Sequence, residues 1–237
     1  MSAGMEILDA HRILGRLPHA EGVPTPADLL GELDRLGIDR AAVVASWDLY
    51  GDPRDADEYE RRTAPFGSTD RLTRVAVHIP GHPFSPVPLG APLVRLAPVL
   101  HRFDPLGPAA DASLSSLAEH ATAVSLDATE VGLGAIAQLV RRHPALKILV
   151  LNPGYRDLLT VAELLGPTVW IESGTLIASG AIEWLAETAG TDRIVFGSGA
   201  PLRDAAGARH TLEMLELPED ARRLIAAGNW ERLVATR

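Results

Sequence analysis

Short runs of consecutive apolar residues alternate along this chain with longer stretches whose apolar residues recur every three or four positions. AAVVAS, KILVL and RIVFG are apolar at successive positions, which is how a strand buried on both faces reads. The pattern predicts strands over Met5–His11, Ala41–Trp47, Thr73–Pro80, Leu93–Ala97, Ala123–Ala128, Lys147–Asn152, Val169–Ser173 and Ile194–Ser198. Helical periods fill the gaps. Thr25-Pro26 opens one that runs through ADLLGELDRLG to Gly37, with proline near its first turn and glycine past its end. VGLGAIAQLVRRHP stops before Pro144, and TLIASGAIEWLAETAG and RLIAAGNWERLVATR carry the same period.

Eight strands, most of them followed by a helix, predict an α/β fold and a single (β/α)8 TIM barrel spanning residues 1–237. An open doubly wound sheet is the main alternative, but DAHRILG is not the glycine-rich turn that such a sheet carries after its first strand. One unit is irregular. GHPFSPVPLGAP holds four prolines, so the helix after the third strand is missing or replaced by a loop. In WDLYGDPRDADEYERRTAPFGSTDR, DADEYERR reads as a helix with acidic residues in its first turn.

Composition narrows the chemistry. There is no cysteine, so a cysteine nucleophile, a disulfide framework and cysteine-held metals are excluded. Lys147 is the only lysine among 22 basic residues, which leaves one candidate for a Schiff base or a carbamylated bridge. It falls at the start of the sixth strand, the end of a barrel opposite the active face. The arginine excess reads as compositional drift, because a net charge of −9 repels nucleic acid. No apolar run approaches the roughly 18 residues of a membrane span. The N-terminus lacks a basic start followed by an apolar stretch, so the expectation is a soluble, cytoplasmic protein.

In a barrel, chemistry gathers where strands give way to the following loops. Those ends carry Asp9 and His11, Ser46 and Trp47, His78, Arg95, Asp127, Asn152, Glu172 with Ser173, and Ser198, with His101 and Arg102 a short loop after the fourth strand. Asp9 reads as a structural hydrogen-bond acceptor. Ser173 and Ser198 lie in no Gly-x-Ser-x-Gly elbow and read as turn residues. Trp47, Tyr50 and Phe66 serve equally as pocket walls or as core.

ILDAHRILG resembles the first strand of the amidohydrolase-related barrels, which carries Asp-x-His-x-His and then glycine. DLLGELDRLGIDRAAVVAS, RRHPALKILVLNPG, VWIESG, DRIVFGSGAP and IAAGNWERLV are similar to later segments of that family in the same order. The resemblance implies metal-assisted hydrolysis, with decarboxylases and hydratases as relatives. It also implies a divalent ion, zinc or manganese, on two strand-one histidines, histidines of the fifth and sixth strands and an aspartate of the eighth. Position by position, His11 matches the first histidine, Ile13 takes the second, Asp127 and Asn152 take the strand-five and strand-six places, and Gly199 replaces the aspartate. His11 and Asp127 are thus two candidate ligands, which His78 or His101 would have to complete. A catalytic zinc needs about three protein ligands and an open position, so the expected ion is weakly held or absent.

The expected function is a hydrolase, or a related lyase or decarboxylase, acting on a small polar or acidic molecule through an altered metal site. His11, Asp127 and Glu172 are the candidate catalytic residues, and Arg95, His101, Asn152 and His78 the candidate substrate contacts. Two alternatives stay open: a metal-independent acid–base enzyme using His11, Asp127 and Glu172, and a silent barrel that binds a ligand or a partner. Neither nucleic acid nor membrane is an expected partner. A homodimer through the apolar C-terminal segment is weighed against that segment folding onto its own core.

Overall fold

The computed structural model describes residues 4–18, 21–54 and 69–235. Eight parallel strands follow one another in sequence order around a nearly closed barrel. They are β1 (Leu8–Leu14), β2 (Arg40–Ala45), β3 (Leu72–Val77), β4 (Leu93–Leu96), β5 (Ala123–Asp127), β6 (Ile148–Leu151), β7 (Val169–Glu172) and β8 (Ile194–Val195). The helices between them are α1 (Pro26–Leu36), α2 (Ser46–Tyr50), α3 (Pro98–His101), α4 (Pro108–Glu119), α5 (Ala128–Val131), α6 (Leu133–Arg142), α7 (Leu158–Leu164) and α8 (Ala181–Ala189). After β8 come α9 (Ala205–Met214), α10 (Glu219–Arg223) and α11 (Asn229–Val234). No helix among the described residues is long and apolar enough to cross a membrane.

Local signals act as their chemistry requires. Thr25 caps α1 in a reciprocal box with Asp28, and Gly37 closes it at φ 62°, a left-handed conformation that favours glycine. Between β3 and β4 the proline-rich segment forms turns, and the described chain has no helix there. The predicted helix DADEYERR and Phe66 lie outside the described residues. Four elements differ most from expectation, and the first is β1, which starts and ends three residues later than predicted, at Leu8–Leu14. Ser46 and Trp47 start α2 rather than ending β2. Only the second half of TLIASGAIEWLAETAG is helical, because Gly180 at φ 75° precedes α8. β8 stops at Val195 because the Phe196 amide donates to the Ile225 carbonyl outside the sheet.

Two layers of side chains fill the structure. The outer one sets Val43, Val94, Leu126, Ile148, Val150 and Ile171 against helix residues such as Leu33, Leu117, Ile136 and Leu185. The inner one joins Leu8, Ala10, Ala42, Val44, Leu93, Ala97, Leu149, Leu151, Trp170 and Val195. Trp230 and Leu233 of α11 belong to this inner layer, so the C-terminal segment packs on its own barrel. Lys147, one residue before β6, donates to the Arg232, Leu233 and Ala235 carbonyls. The single lysine thus caps the last helix, at the end of the strands opposite the candidate site.

The remaining seam is closed by backbone bonds rather than by a regular ladder. Ala10 donates to the Phe196 carbonyl, Gly199 to that of His11 and Ile13 to that of Ala200, each at 3.0 Å. Asp9 reinforces this seam. Its carboxylate accepts from the backbone amides of His11 (3.1 Å) and Ser198 (2.9 Å) and from the Ser198 hydroxyl. Buried Arg12 lies 3.6 Å from Asp9 and 2.7 Å from Glu32 of α1.

Candidate active site at the C-terminal ends of the strands

Strand periodicity aims the polar groups. Leu93 and Ala97 lie in the inner layer, so Arg95 between them shares the inward face of β4. The same alternation turns Asp127 inward two and four residues beyond Ser125 and Ala123, and Glu172 inward two beyond Trp170. His11 needs a further device. Leu8 and Ala10 are inner residues, but so is Ile13, an odd step that strict alternation forbids. β1 runs three residues from Asp9 to Arg12 while its partner runs two, from Ala41 to Val43. This bulge switches the facing of the strand and brings His11 inward.

His11 Nδ1 meets Glu172 Oε2 at 3.4 Å. Glu172 is fully buried and also accepts from the backbone amides of Asn152 (3.0 Å) and Gly174 (2.9 Å). An acceptor so placed fixes Nδ1 as the protonated nitrogen of the neutral imidazole. Nε2 makes no hydrogen bond among the described residues. Close backbone approach is required beside this pair, since a Cβ on Gly197 would sit 2.5 Å from Glu172 Cγ and 3.2 Å from His11 Cβ.

Asn152 follows β6 with φ 52°, a conformation that asparagine tolerates better than most residues. Its Nδ2 donates to Asp127 and its Oδ1 accepts from Arg203. The carboxylate on one side and the guanidinium on the other set the amide's orientation. Asp127 also accepts from the Thr129 amide (2.9 Å) and hydroxyl (2.7 Å) and lies 3.5 Å from Arg95. Burial alone would raise its pKa, but the Thr129 bonds, the Arg95 charge and Asn152 together hold it below the ordinary value. Asp127 is therefore an ionised anchor.

Arg95 adds an ion pair at 3.4 Å to Glu130 of α5. It is only 7% exposed, yet its Nη1 is buried without a hydrogen-bond partner among the described residues. His101 Nε2 lies 2.9 Å from the Leu49 carbonyl, so Nε2 carries the proton and Nδ1, also buried and without a partner among the described residues, is an acceptor. Burial lowers the His101 pKa, and the nearby positive charge of Arg95 adds to this.

The structure thus joins His11, Glu172, Asn152, Asp127 and Arg95 in one chain of contacts, with His101 beside Arg95. His78 is placed elsewhere. Its ring meets Ser113 of α4 at 2.9 Å and Ser85 at 3.3 Å, which ties the helix-free loop to the barrel wall. Trp47 lines a separate cavity of about 310 Å³ with Asp48, Phe84 and Pro86, beside that loop. Sequence reasoning missed Arg203 and Glu130. Glu130 had a signal, three residues beyond Asp127 in DATEVG. Arg203 is a loop arginine in GAPLRD with no local pattern to single it out.

Ile13 and Gly199 offer no donor atoms, and Asn152 offers a neutral one already spent on Arg203. Among the described residues, no group of three or more His, Cys, Asp or Glu side chains is arranged to hold a metal ion.

One pH effect follows from the two buried histidines. Burial lowers both His78 and His101 from the ordinary 6.5. Below that value the unfolded chain takes up protons that the native state refuses, so stability falls as pH drops from 6.5 towards the folded pKa values. The thermal midpoint is expected to fall between about pH 7.5 and about pH 5.5, by roughly 2–4 °C per kcal/mol lost. The fall should shrink in His78→Gln. An unchanged midpoint, or an unchanged fall in the variant, would contradict this account.

A family model described as amidohydrolase matches residues 39–235. No curated protein matches the chain in sequence. Among solved structures, an amidohydrolase 2 from Bifidobacterium longum subsp. infantis is 19% identical, with a TM-score of 0.70 over 99% of this chain and 100% of that one. The 5-carboxyvanillate decarboxylase of Sphingomonas paucimobilis is 13% identical, with a TM-score of 0.70 over 99% and 100% of the two chains. A putative 2-pyrone-4,6-dicarboxylic acid hydrolase from Pseudomonas putida is 17% identical, with a TM-score of 0.70 over 98% of each.

Proposed function

The chain belongs to the amidohydrolase family, and from that premise we propose that it is a hydrolase or lyase of small carboxylic acids, working by metal-independent proton transfer through His11. The observation that carries this reading is the Nη1 of buried Arg95, which has no hydrogen-bond partner among the described residues. A buried N–H without a partner costs about 1–3 kcal/mol, a penalty that a bound carboxylate would lift. A planar guanidinium suits a carboxylate in shape as well as charge. His101 Nδ1, an acceptor close by, would receive a hydroxyl or N–H of the same molecule. Two of the structural relatives are named for acids of this kind, a carboxyvanillate and a pyrone dicarboxylic acid.

Glu172 orients the His11 ring through Nδ1, so Nε2 is the atom that gives or takes a proton. Protonated His11 would deliver a proton to the carbon whose bond to carboxylate breaks, the bonding pair receiving it as CO2 leaves. Neutral His11 would take a proton from water adding to a carbonyl. Asp127 holds Arg95 and Asn152 in place and is too committed to act as a base. The family's usual divalent ion does not fit this donor set, and no step here requires it.

The test is binding of 2-hydroxybenzoate by calorimetry, followed by turnover assays with aromatic hydroxy acids and dicarboxylic acids. Arg95→Met is expected to weaken binding at least about tenfold, the equivalent of one charge-assisted hydrogen bond. Binding indifferent to Arg95, or no acid bound at all, would defeat the proposal and favour a silent barrel.

A further inference from the structure

A side chain begun at Gly199 would meet three groups at once. Its Cβ would lie 2.9 Å from Arg203 Nη1, 3.6 Å from His11 Nδ1 and 3.7 Å from Asn152 Oδ1. The chain holds Gly199 at φ 70°, and Arg203 folds back over it, its amide 3.3 Å from the Gly199 carbonyl. Arg203 as a whole is exposed, and its guanidinium donates to Asn152 Oδ1 in the mouth. Asp204 next to it is engaged in capping α9 through the Ala206 amide. Arg203 makes no ion pair among the described residues, so its charge acts on the site.

We infer that Arg203 is a tethered cation occupying the point at which His11, Asn152 and the space above Gly199 converge, and that it keeps a divalent ion out. Charge and space both support this. A guanidinium has the sign of a metal ion, and two cations a few ångströms apart repel strongly in a partly buried site. The Asn152 amide is polarised between Asp127 and Arg203, which turns its one oxygen away from any other cation. Gly199 leaves the room that the guanidinium takes. Unlike a metal ion, this positive charge cannot be removed by a chelator, and it cannot lower the pKa of a coordinated water. The inference deepens the metal-independent reading above, but it stands on different residues from the acid-binding Arg95.

The test is calorimetric titration of Zn(II) into chelator-treated wild type, Arg203→Ala, Arg203→Lys and Arg203→Ala/His11→Ala. Arg203 is exposed, so its replacement is not expected to disturb folding, which circular dichroism checks. Wild type and Arg203→Lys are expected to bind Zn(II) weakly. Arg203→Ala should bind at least about tenfold more tightly, because a like charge has been removed from the site. The added His11→Ala should abolish that gain. Equal affinities for wild type and Arg203→Ala would overturn the inference. So would one zinc ion per wild-type chain that His11→Ala releases. Because the readout is metal binding, failure here would leave the Arg95-dependent binding of acids as a separate result.

Discussion

Replacing His11 with alanine is expected to lower kcat/KM by about 10²- to 10⁴-fold on any acid the protein turns over, the usual contribution of a positioned proton-transfer group. The imidazole has an Nε2 without a hydrogen-bond partner among the described residues and a ring oriented by Glu172, Nδ1 resting 3.4 Å from its carboxylate. Its removal would delete the proposed proton carrier and leave Arg95 Nη1 as it is, so ligand binding should survive. That split separates a role in chemistry from a role in architecture. Glu172→Gln provides the companion measurement. An amide can place its N–H against Nδ1 and so loses the fixed ring orientation that the carboxylate imposes. kcat should therefore fall while acid binding survives, provided the variant folds. An activity loss below about threefold in His11→Ala, or binding and turnover lost together, would sink the assignment.

Asp9→Ala is expected to produce the largest loss of stability, about 3–5 kcal/mol, the cost of breaking a buried ion pair from one side. Asp9 is fully buried and accepts from two backbone amides and the Ser198 hydroxyl, with Arg12 at 3.6 Å. Alanine would strand those donors at the seam where the last strand meets the first. It would also leave Arg12, itself 2% exposed, with Glu32 as its only carboxylate among the described residues. Denaturant unfolding measures the loss, and Asp9→Asn, which keeps an acceptor but not the charge, should fall between. A loss under about 1 kcal/mol would show that the seam does not depend on this carboxylate.

Most of the barrel is legible in the sequence. A buried parallel strand has two apolar faces, so it leaves a run that no amphipathic helix leaves. Thr25, Pro26 and Gly37 mark the ends of α1 because capping and left-handed turns demand specific residues. The proline-rich stretch after β3 likewise reveals an absent helix, since proline cannot donate within one. Strand ends were harder to read. β8 is only two residues long because Phe196 turns its amide to Ile225, a competition between partners distant in sequence.

The site divides in the same way. Arg95, Asp127 and Glu172 are legible as strand-end polar groups, while their inward facing is fixed by the inner residues two or four positions before them in the folded strands. His11 is legible as a motif position, but its facing depends on a bulge defined by pairing with β2. His78 has the same strand-end signature as the others, yet Ser113 and Ser85 hold its ring away from the His11 group.

The sequence by itself therefore determined the barrel and the polar residues that stand at its strand ends. These are properties of periodicity and residue type, carried by neighbours along the chain. Only the tertiary structure decided which positive charge faces His11. Arg203 reaches Asn152 across 51 residues, and a contact set by the closure of the barrel leaves no local trace.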